Sequence, residues 1–451
     1  MSNTTTSSSW VSEPSGRGTW SILSTCLLTI IMCCWTSVCP NIPAQSDSYW
    51  SSFREKLHLA CIGVLGPEFL LVLAMGQWSS ARKSVKEFRR LNVDSRKCEW
   101  TMTHAFYANM GGFLLKGPGI ELPFPIDAAQ LFFLTEQGYV ECPEITQKEI
   151  EDRNKSDKFA RCIATCQAIW LLLNCIMRVA QSLALTTLEL TTVSFVLVFF
   201  ATSFCWYYKP QDVTTATILT LTADINTIRQ KHCPSELQEW YTNPLEFLHT
   251  KYYICHIFWR YYNQILYRIH CPIFSRPVTT RPYNRIPNDD FLHLDTLAEA
   301  ITPPIILIFG CMFMCAWHFH FPSSTEQLLW RIASTYTLAF SILGGLYVQL
   351  CYKVILPRYV EHRRSVSDAE KSELPQPRMQ LQRLAAKITN IHPSKDPRLD
   401  LPLLALGPMT IICAFYCLSR TYILVEDFVG LRDLPESAFQ TVEWSVYVPH
   451  W

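Results

Sequence analysis

Seven runs of about twenty mostly apolar residues divide this chain, each near the ~20 residues a helix needs to cross hydrocarbon. They fall at 20–38, 57–75, 160–179, 182–207, 298–318, 328–352 and 401–425. Only 17% of residues are charged, against roughly 25% in soluble domains. The expected fold class is therefore all-α: a polytopic membrane helical bundle of about seven transmembrane helices, with amphipathic interfacial helices between them. The first run, SILSTCLLTIIMCCW, leads to Pro40 and Pro43 without a small-residue cleavage motif. It reads as a retained helix and not as a signal peptide.

The basic residues set an expected orientation. Segments 76–159, 208–297 and 353–400 hold 12, 9 and 10 of the 39 Lys and Arg residues, while 39–56, 180–181 and 319–327 hold only Arg54 and Lys56. With seven helices the three basic segments share one face, which the positive-inside rule places in the cytosol. The N-terminus is then cytosolic and 426–451 lumenal, opposite to a seven-helix G-protein-coupled receptor. Asn3-Thr4-Thr5 has the form of a glycosylation sequon, which matters only for a lumenal N-terminus. The endoplasmic reticulum is the default membrane. Nucleic acid is not an expected partner, because the basic residues are spread over three loops and no binding motif is present.

The organisation follows from these runs. A disordered tail (1–19) precedes transmembrane hairpins at 20–75, 160–207 and 298–352, a last helix at 401–425 and a tail at 426–451. Within the cytosolic segment 76–159, WSSARKSVKEFRRLN (78–92) suits an interfacial helix on anionic lipid or, equally, a solvated connector helix. In the same segment 100–115 is apolar but too short to span, and Gly111-Gly112 permits a sharp turn, so a re-entrant or interfacial element capping the bundle is expected there. Lys209-Pro210 ends the fourth helix. Segment 208–297 carries an aromatic amphipathic stretch at 248–270, suited to the membrane boundary, and 353–400 reads as a flexible charged connector. Most cysteines fall within the apolar runs, where they pack as small apolar residues.

Ionisable residues inside apolar runs are costly and point to function. Glu68 follows Gly66-Pro67 in 57–75, Glu189 sits among threonines in 182–204, and Arg420 lies in 401–425. Each carboxyl has two readings: a buried acid poised for chemistry, or a group satisfied by nearby backbone or Thr hydroxyls. His318 and His320 are two apart with no third ligand suitably spaced, so no metal is expected. Walker, dinucleotide, Gly-x-Ser-x-Gly and His-Glu-x-x-His motifs are all missing, as are the Asp-rich magnesium motifs of class I terpene synthases.

Several segments together carry a resemblance: TCLLTIIMCCWTSVCPNIP (25–43), GPE (66–68), THAFYANMGGF (103–113), LELTT (188–192), WYYKPQDV (206–213), HFHFPSSTEQLLWR (318–331) and LPESAFQTVEWSVYVPHW (434–451). The chain resembles a large family of fungal multipass membrane proteins, over nearly its whole length. The resemblance implies a link to membrane-bound terpene cyclases of natural-product clusters, which protonate an alkene or epoxide of a prenylated (meroterpenoid) intermediate and use no cofactor. On that reading Glu68 is the general acid and Glu189 a second acid or final base. His104 and Asn109 orient the polar head at the cytosolic mouth, and Arg420 is a charge partner. Trp170, Trp206 and Tyr347, with Phe195, Phe199 and Phe313, are candidate aromatic lining for cationic intermediates. The expected partners are a lipophilic prenylated substrate, the lipid bilayer and other pathway enzymes. Two alternatives stay open: a proton-coupled transporter of a lipophilic metabolite, and a non-catalytic membrane scaffold. The first predicts a midplane cavity reached from both faces, the second that neither Glu affects the product.

Overall fold

The computed structural model describes residues 7–8, 10–11, 16–93, 99–155, 158–233, 239–249, 252–361 and 388–444. Asn3, residues 250–251 of the aromatic stretch, 362–387 of the charged connector and the last seven residues lie outside these. The described residues are mostly helical, as expected. The helices are α1 (Thr19–Ser37), α2 (Tyr49–Leu65), α3 (Pro67–Val93), α4 (Met102–Asn109), α5 (Ala128–Glu136), α6 (Gln147–Asp152), α7 (Lys158–Ala180), α8 (Thr187–Cys205), α9 (Ile225–His232), α10 (Ile254–Arg268), α11 (Thr296–Met314), α12 (Ser324–Leu350) and α13 (Leu403–Val429). Short strands are β1 (Ser7–Ser8), β2 (Phe113–Lys116), β3 (Phe124–Ile126), β4 (Thr217–Thr220) and β5 (Leu434–Pro435).

Among the described residues six helices are long and apolar enough to cross a membrane: α1, α7, α8, α11, α12 and α13. The run at 57–75 is not a seventh straight helix. It breaks at Gly66–Pro67, where α2 and α3 are bent by 120°. Pro67 opens α3, where its missing N–H costs nothing. A Cβ at Gly66 would lie 2.5 Å from the Phe69 ring, so the corner takes glycine.

Both arms of this bent pair end on the same side. Asp47 and Glu55, at the start of α2, bind Arg276 at 2.6 Å and 2.8 Å, and Arg285 reaches Glu55 at 3.1 Å. Farther along α3, Arg82 pairs with Asp295 at 3.1 Å, the N-cap residue of α11. The pair therefore enters the bundle and returns. This corrects the expected arrangement twice. Segment 39–56 joins the basic segments on one end of the bundle, and the two chain termini meet at the other, where β1 pairs antiparallel with β5, Ser7 against Pro435 and Ser8 against Leu434. The tail read as disordered thus contains one ordered pair.

At the loop end, the described residues of 99–155, 208–295 and 388–400 pack against one another. Residues 100–115 form no re-entrant loop. Instead α4 turns at Gly111 (φ +86°) into β2, the centre of a sheet ordered β3-β2-β4, with β4 parallel to β2. The Gly-Gly turn was readable and its setting was not, because β4 lies about a hundred residues downstream. Residues 388–400 are likewise packed: Asn390 bonds Asp400 at 2.6 Å, and Arg268 of α10 donates to Ile391 O at 2.9 Å.

Candidate functional site

Tyr416, Arg420, Ile423 and Asp427 recur at helical spacing and are all buried on one face of α13. Arg420 is 3% exposed. Its guanidinium carbon lies 5.9, 5.1 and 5.0 Å from the ring centres of Phe195 (α8), Phe309 and Phe313 (α11). None of its three guanidinium nitrogens has a hydrogen-bond partner among the described residues. A guanidinium carries five donors, so this is an unusual group to bury unfilled. Cation–π attraction to the rings recovers part of that cost.

Two carboxyls flank it within electrostatic reach, Glu68 from the bent pair and Asp427 two turns farther along α13. Glu68 is 6% exposed; the Tyr416 hydroxyl donates to its Oε1, and its Oε2 has no hydrogen-bond partner among the described residues. The Tyr416 ring is held by stacking on Phe340, 4.1 Å between centres, and by an edge contact with Phe69 at 5.9 Å. Asp427 lies against Thr187 and Thr191 of α8, yet neither carboxylate oxygen completes a well-formed hydrogen bond among the described residues. A polar line thus runs Tyr416–Glu68–Arg420–Asp427–Thr187 through an otherwise apolar interior.

Thr187, at one end of the line, also belongs to the wall of a cavity of about 400 Å³, which the other four residues of the line do not touch. That volume lies within the ~300–1,000 Å³ typical of small-molecule sites. Leu183 and Leu185 of the α7–α8 turn, Phe319 and Phe321 after α11, and Leu434 beyond α13 supply apolar walls, with His318 and His320 among the polar ones. All of these lie at the end where the termini meet. His320 is held by Asp433 at 3.2 Å, and no metal-binding group of His, Cys, Asp or Glu occurs among the described residues.

The other expected site residues are elsewhere. Glu189 is not mid-helix but in the first turn of α8. It closes a capping box with Thr186, whose N–H and hydroxyl both lie 3.0 Å from Oε2, and Arg17 pairs with its other oxygen. It faces Cys26 and Cys175, away from Arg420. His104 is fully buried with both ring nitrogens engaged, Nδ1 by Thr101 at 2.8 Å and Nε2 by the Ile145 carbonyl at 2.8 Å. Asn109 joins Ser80 (3.1 Å) to the Ala128 N–H (3.1 Å). Trp170 is half-exposed and stacked on Trp444. Trp206 is buried and donates to Gln77 at 3.0 Å, and the Tyr347 hydroxyl donates to Leu404 O at 3.0 Å. Phe199 packs with α1 and α7 residues. Of the eight leading candidates only Glu68 and Arg420 come together, and Phe195 and Phe313 come with them. Asp427 and Tyr416 escaped the sequence reading, although both lie at helical spacing from Arg420.

The profile of a family of unknown function (DUF8562) matches residues 1–235 and 292–451. The chain belongs to that family. Every residue of the polar line lies within the matched parts, whereas α10 and the clamp arginines Arg276 and Arg285 fall in the unmatched stretch between them. No curated protein and no solved structure matches the chain.

Proposed function

We propose that this DUF8562 protein is an integral membrane enzyme, resident in the endoplasmic reticulum, that moves a proton onto a lipophilic substrate. The concrete reaction is cyclisation of a prenylated, meroterpenoid-type intermediate. The observation that carries the reading is the Glu68–Arg420–Asp427 line, walled by Phe195, Phe309 and Phe313 and meeting the cavity at Thr187. Two carboxyls share one guanidinium, so charge balance leaves one carboxyl to carry a transferable proton. Asp427, the carboxyl beside the cavity-wall residue Thr187, is the donor; Arg420 compensates the carboxylate left behind. Protonation of an epoxide oxygen or an alkene carbon starts a cation that closes rings, and loss of a proton to that carboxylate ends it. The product has the mass of the substrate, and no cofactor is required. Aromatic faces attract the passing positive charge. The loop-end module is the surface through which other pathway enzymes would dock.

Microsomes bearing the protein, given prenylated phenols and their epoxides, test this directly. An isomeric product lost in Asp427→Asn or Glu68→Gln, with the variants still inserted, is the expected result. Unchanged pathway output in the producing host with both variants would sink the acid-site reading and leave the scaffold.

One observation favours a second reading. Broken helices carrying polar groups inside a bundle are how many secondary transporters build their sites, and Glu68 sits at such a break. A transporter would move substrate into sealed vesicles along a pH gradient without changing it, and Glu68→Gln would stop that uptake.

A further inference from the structure

Asp427 is buried, so a proton can reach it only through a neighbouring group. Its neighbour Thr187 belongs to the cavity wall, and so does Gly430, the residue that closes α13. Behind Gly430 stands Glu426. It is 3% exposed, and its Oε1 has no hydrogen-bond partner among the described residues. The point that a Cβ at Gly430 would occupy lies 3.6 Å from that oxygen and 3.9 Å from the Thr187 hydroxyl. Glycine leaves the point open. A water there is within reach of both oxygens, and proton transfer through one such water is a working geometry.

The second oxygen of Glu426 leads outward. The Tyr422 hydroxyl lies 3.2 Å from Oε2 and 2.9 Å from the Glu326 carbonyl. A hydroxyl has one proton to give. The shorter contact takes it, so the carboxyl meets the Tyr422 oxygen with a proton of its own. Glu326, in the first turn of α12, is bound by Arg432 at 2.5 Å, and the Arg432 side chain is half-exposed. Glu326, Arg432 and Asp427 are all within electrostatic reach of Glu426. Arg420 faces Asp427, and His320, held by Asp433, stands on the cavity wall. Four carboxyls, Glu68, Asp427, Glu426 and Glu326, thus stand with two guanidinia. That balance leaves protons to be held among the acids.

We propose that Glu426 is a second proton-carrying group of this site, passing protons from the Arg432 face to Asp427 across the gap beside Gly430. The inference rests on the reading of Asp427 as proton donor. In each transfer the Glu426 O–H breaks and its proton joins the water in the gap; that water gives a proton to the Thr187 oxygen, and the Thr187 hydroxyl proton passes to the Asp427 carboxylate. A hydronium ion at the Arg432 face then restores the proton of Glu426. A threonine hydroxyl accepts and donates, so no charge stays on it. Gly430 is a positioning residue through the side chain it lacks.

Purified full-length protein would be diluted from H2O into D2O and its protonated-carboxyl C=O bands followed by infrared spectroscopy, the Asp427 band being the one missing in Asp427→Asn. Gly430 has right-handed helical backbone (φ −63°, ψ −20°), and a methyl there meets only ordinary contacts. Gly430→Ala should therefore keep the wild-type thermal midpoint. We expect exchange at Asp427 to slow by about 10²-fold in Gly430→Ala and in Glu426→Gln, the low end of what a positioned proton carrier contributes. Gly430→Ser should slow it less, because its hydroxyl can stand in for the water; a merely structural role would treat alanine and serine alike. Unchanged exchange in the Ala and Gln variants, with the Asp427 band present, would overturn the relay and leave Asp427 as donor. Slowing in Glu426→Gln alone would overturn the path beside Gly430. A wild-type spectrum with no band that depends on Asp427 would overturn the donor and the relay together.

Discussion

Outside the polar line, Arg178 is a residue whose loss should be costly. It is 1% exposed, and no carboxylate bonds it. Its Nη1 donates to Gln440 O at 2.7 Å; Nη2 donates to the carbonyls of Ala184, Ser437 and Ala438 at 2.7, 3.0 and 3.0 Å; and Nε reaches Ala184 O at 3.2 Å. One guanidinium thus joins α7 to the next turn and to the segment after β5. Hydrogen bonds to charged groups contribute about 1.5–3 kcal/mol each. Three of the four acceptor carbonyls belong to 437–440, so the gross loss on Arg178→Met is ~5–9 kcal/mol for docking that segment. Freed carbonyls regain water and the segment regains entropy, which brings the net cost to about 3–4 kcal/mol. That is a 10²–10³-fold rise in local opening, since ~1.4 kcal/mol is tenfold. Amide hydrogen exchange over 436–444 reads it directly, because local opening sets those rates. Arg178→Lys, with one charged head and no fork, should fall between wild type and Met. Exchange in Arg178→Met within tenfold of wild type would show that the contacts do not hold the segment, and the argument would fail.

Two further predictions concern the loop end. Lys209 is 3% exposed, bonded by Nζ to Gln77 at 2.8 Å and Asn41 at 3.2 Å, and burial pushes its pKa down to about 8. Because the folded value lies below the unfolded one near 10.4, the burial cost is present below pH 8 and is relieved as pH rises towards 10.4. Relative to Lys209→Met, wild-type stability should therefore climb by about 3 kcal/mol across that window, measured by denaturant unfolding; a flat difference would count against the buried charge. Gly76→Ala should destabilise by about 1–2 kcal/mol although alanine is the better helix former, because its Cβ would meet Leu292 O at 2.7 Å. A rise in the thermal midpoint would refute that.

Much of the bundle could be read from the chain because each long helix is a self-contained apolar run. The reversal at Gly66–Pro67 could be half read: the corner residues announce a break, but its direction depends on Asp47 and Glu55 finding Arg276 and Arg285 more than two hundred residues away. No local pattern holds that information. Glu189 is a different case. Thr186-x-x-Glu189 is a capping-box signature, and reading it would have moved the helix start to 187 and the carboxyl out of the middle. Asp427 was missed because the apolar run fades at 425 while the helix continues to Val429. The helical spacing from Arg420 was the available clue. The β2–β4 pair left none, since the two strands are separated by α5, α6, α7 and α8.

The meeting of β1 and β5 also fixes when this molecule can become complete. Ser7 and Ser8 wait for partners more than four hundred residues downstream, and Leu434 and Pro435 are at once the partners of β1 and part of the cavity wall. Arg178 waits too: its acceptor at Gln440 lies 262 residues downstream, roughly 13–50 s of synthesis at ~5–20 residues per second. Until then a charged side chain stands near the end of an apolar helix with one carbonyl, Ala184 O, to bind. A ribosome that stops early leaves that charge bare and the pocket without one wall. Residues through Gln440 are thus a precondition for a closed pocket, and a chain that stops short of them leaves the Arg178 guanidinium without most of its acceptors.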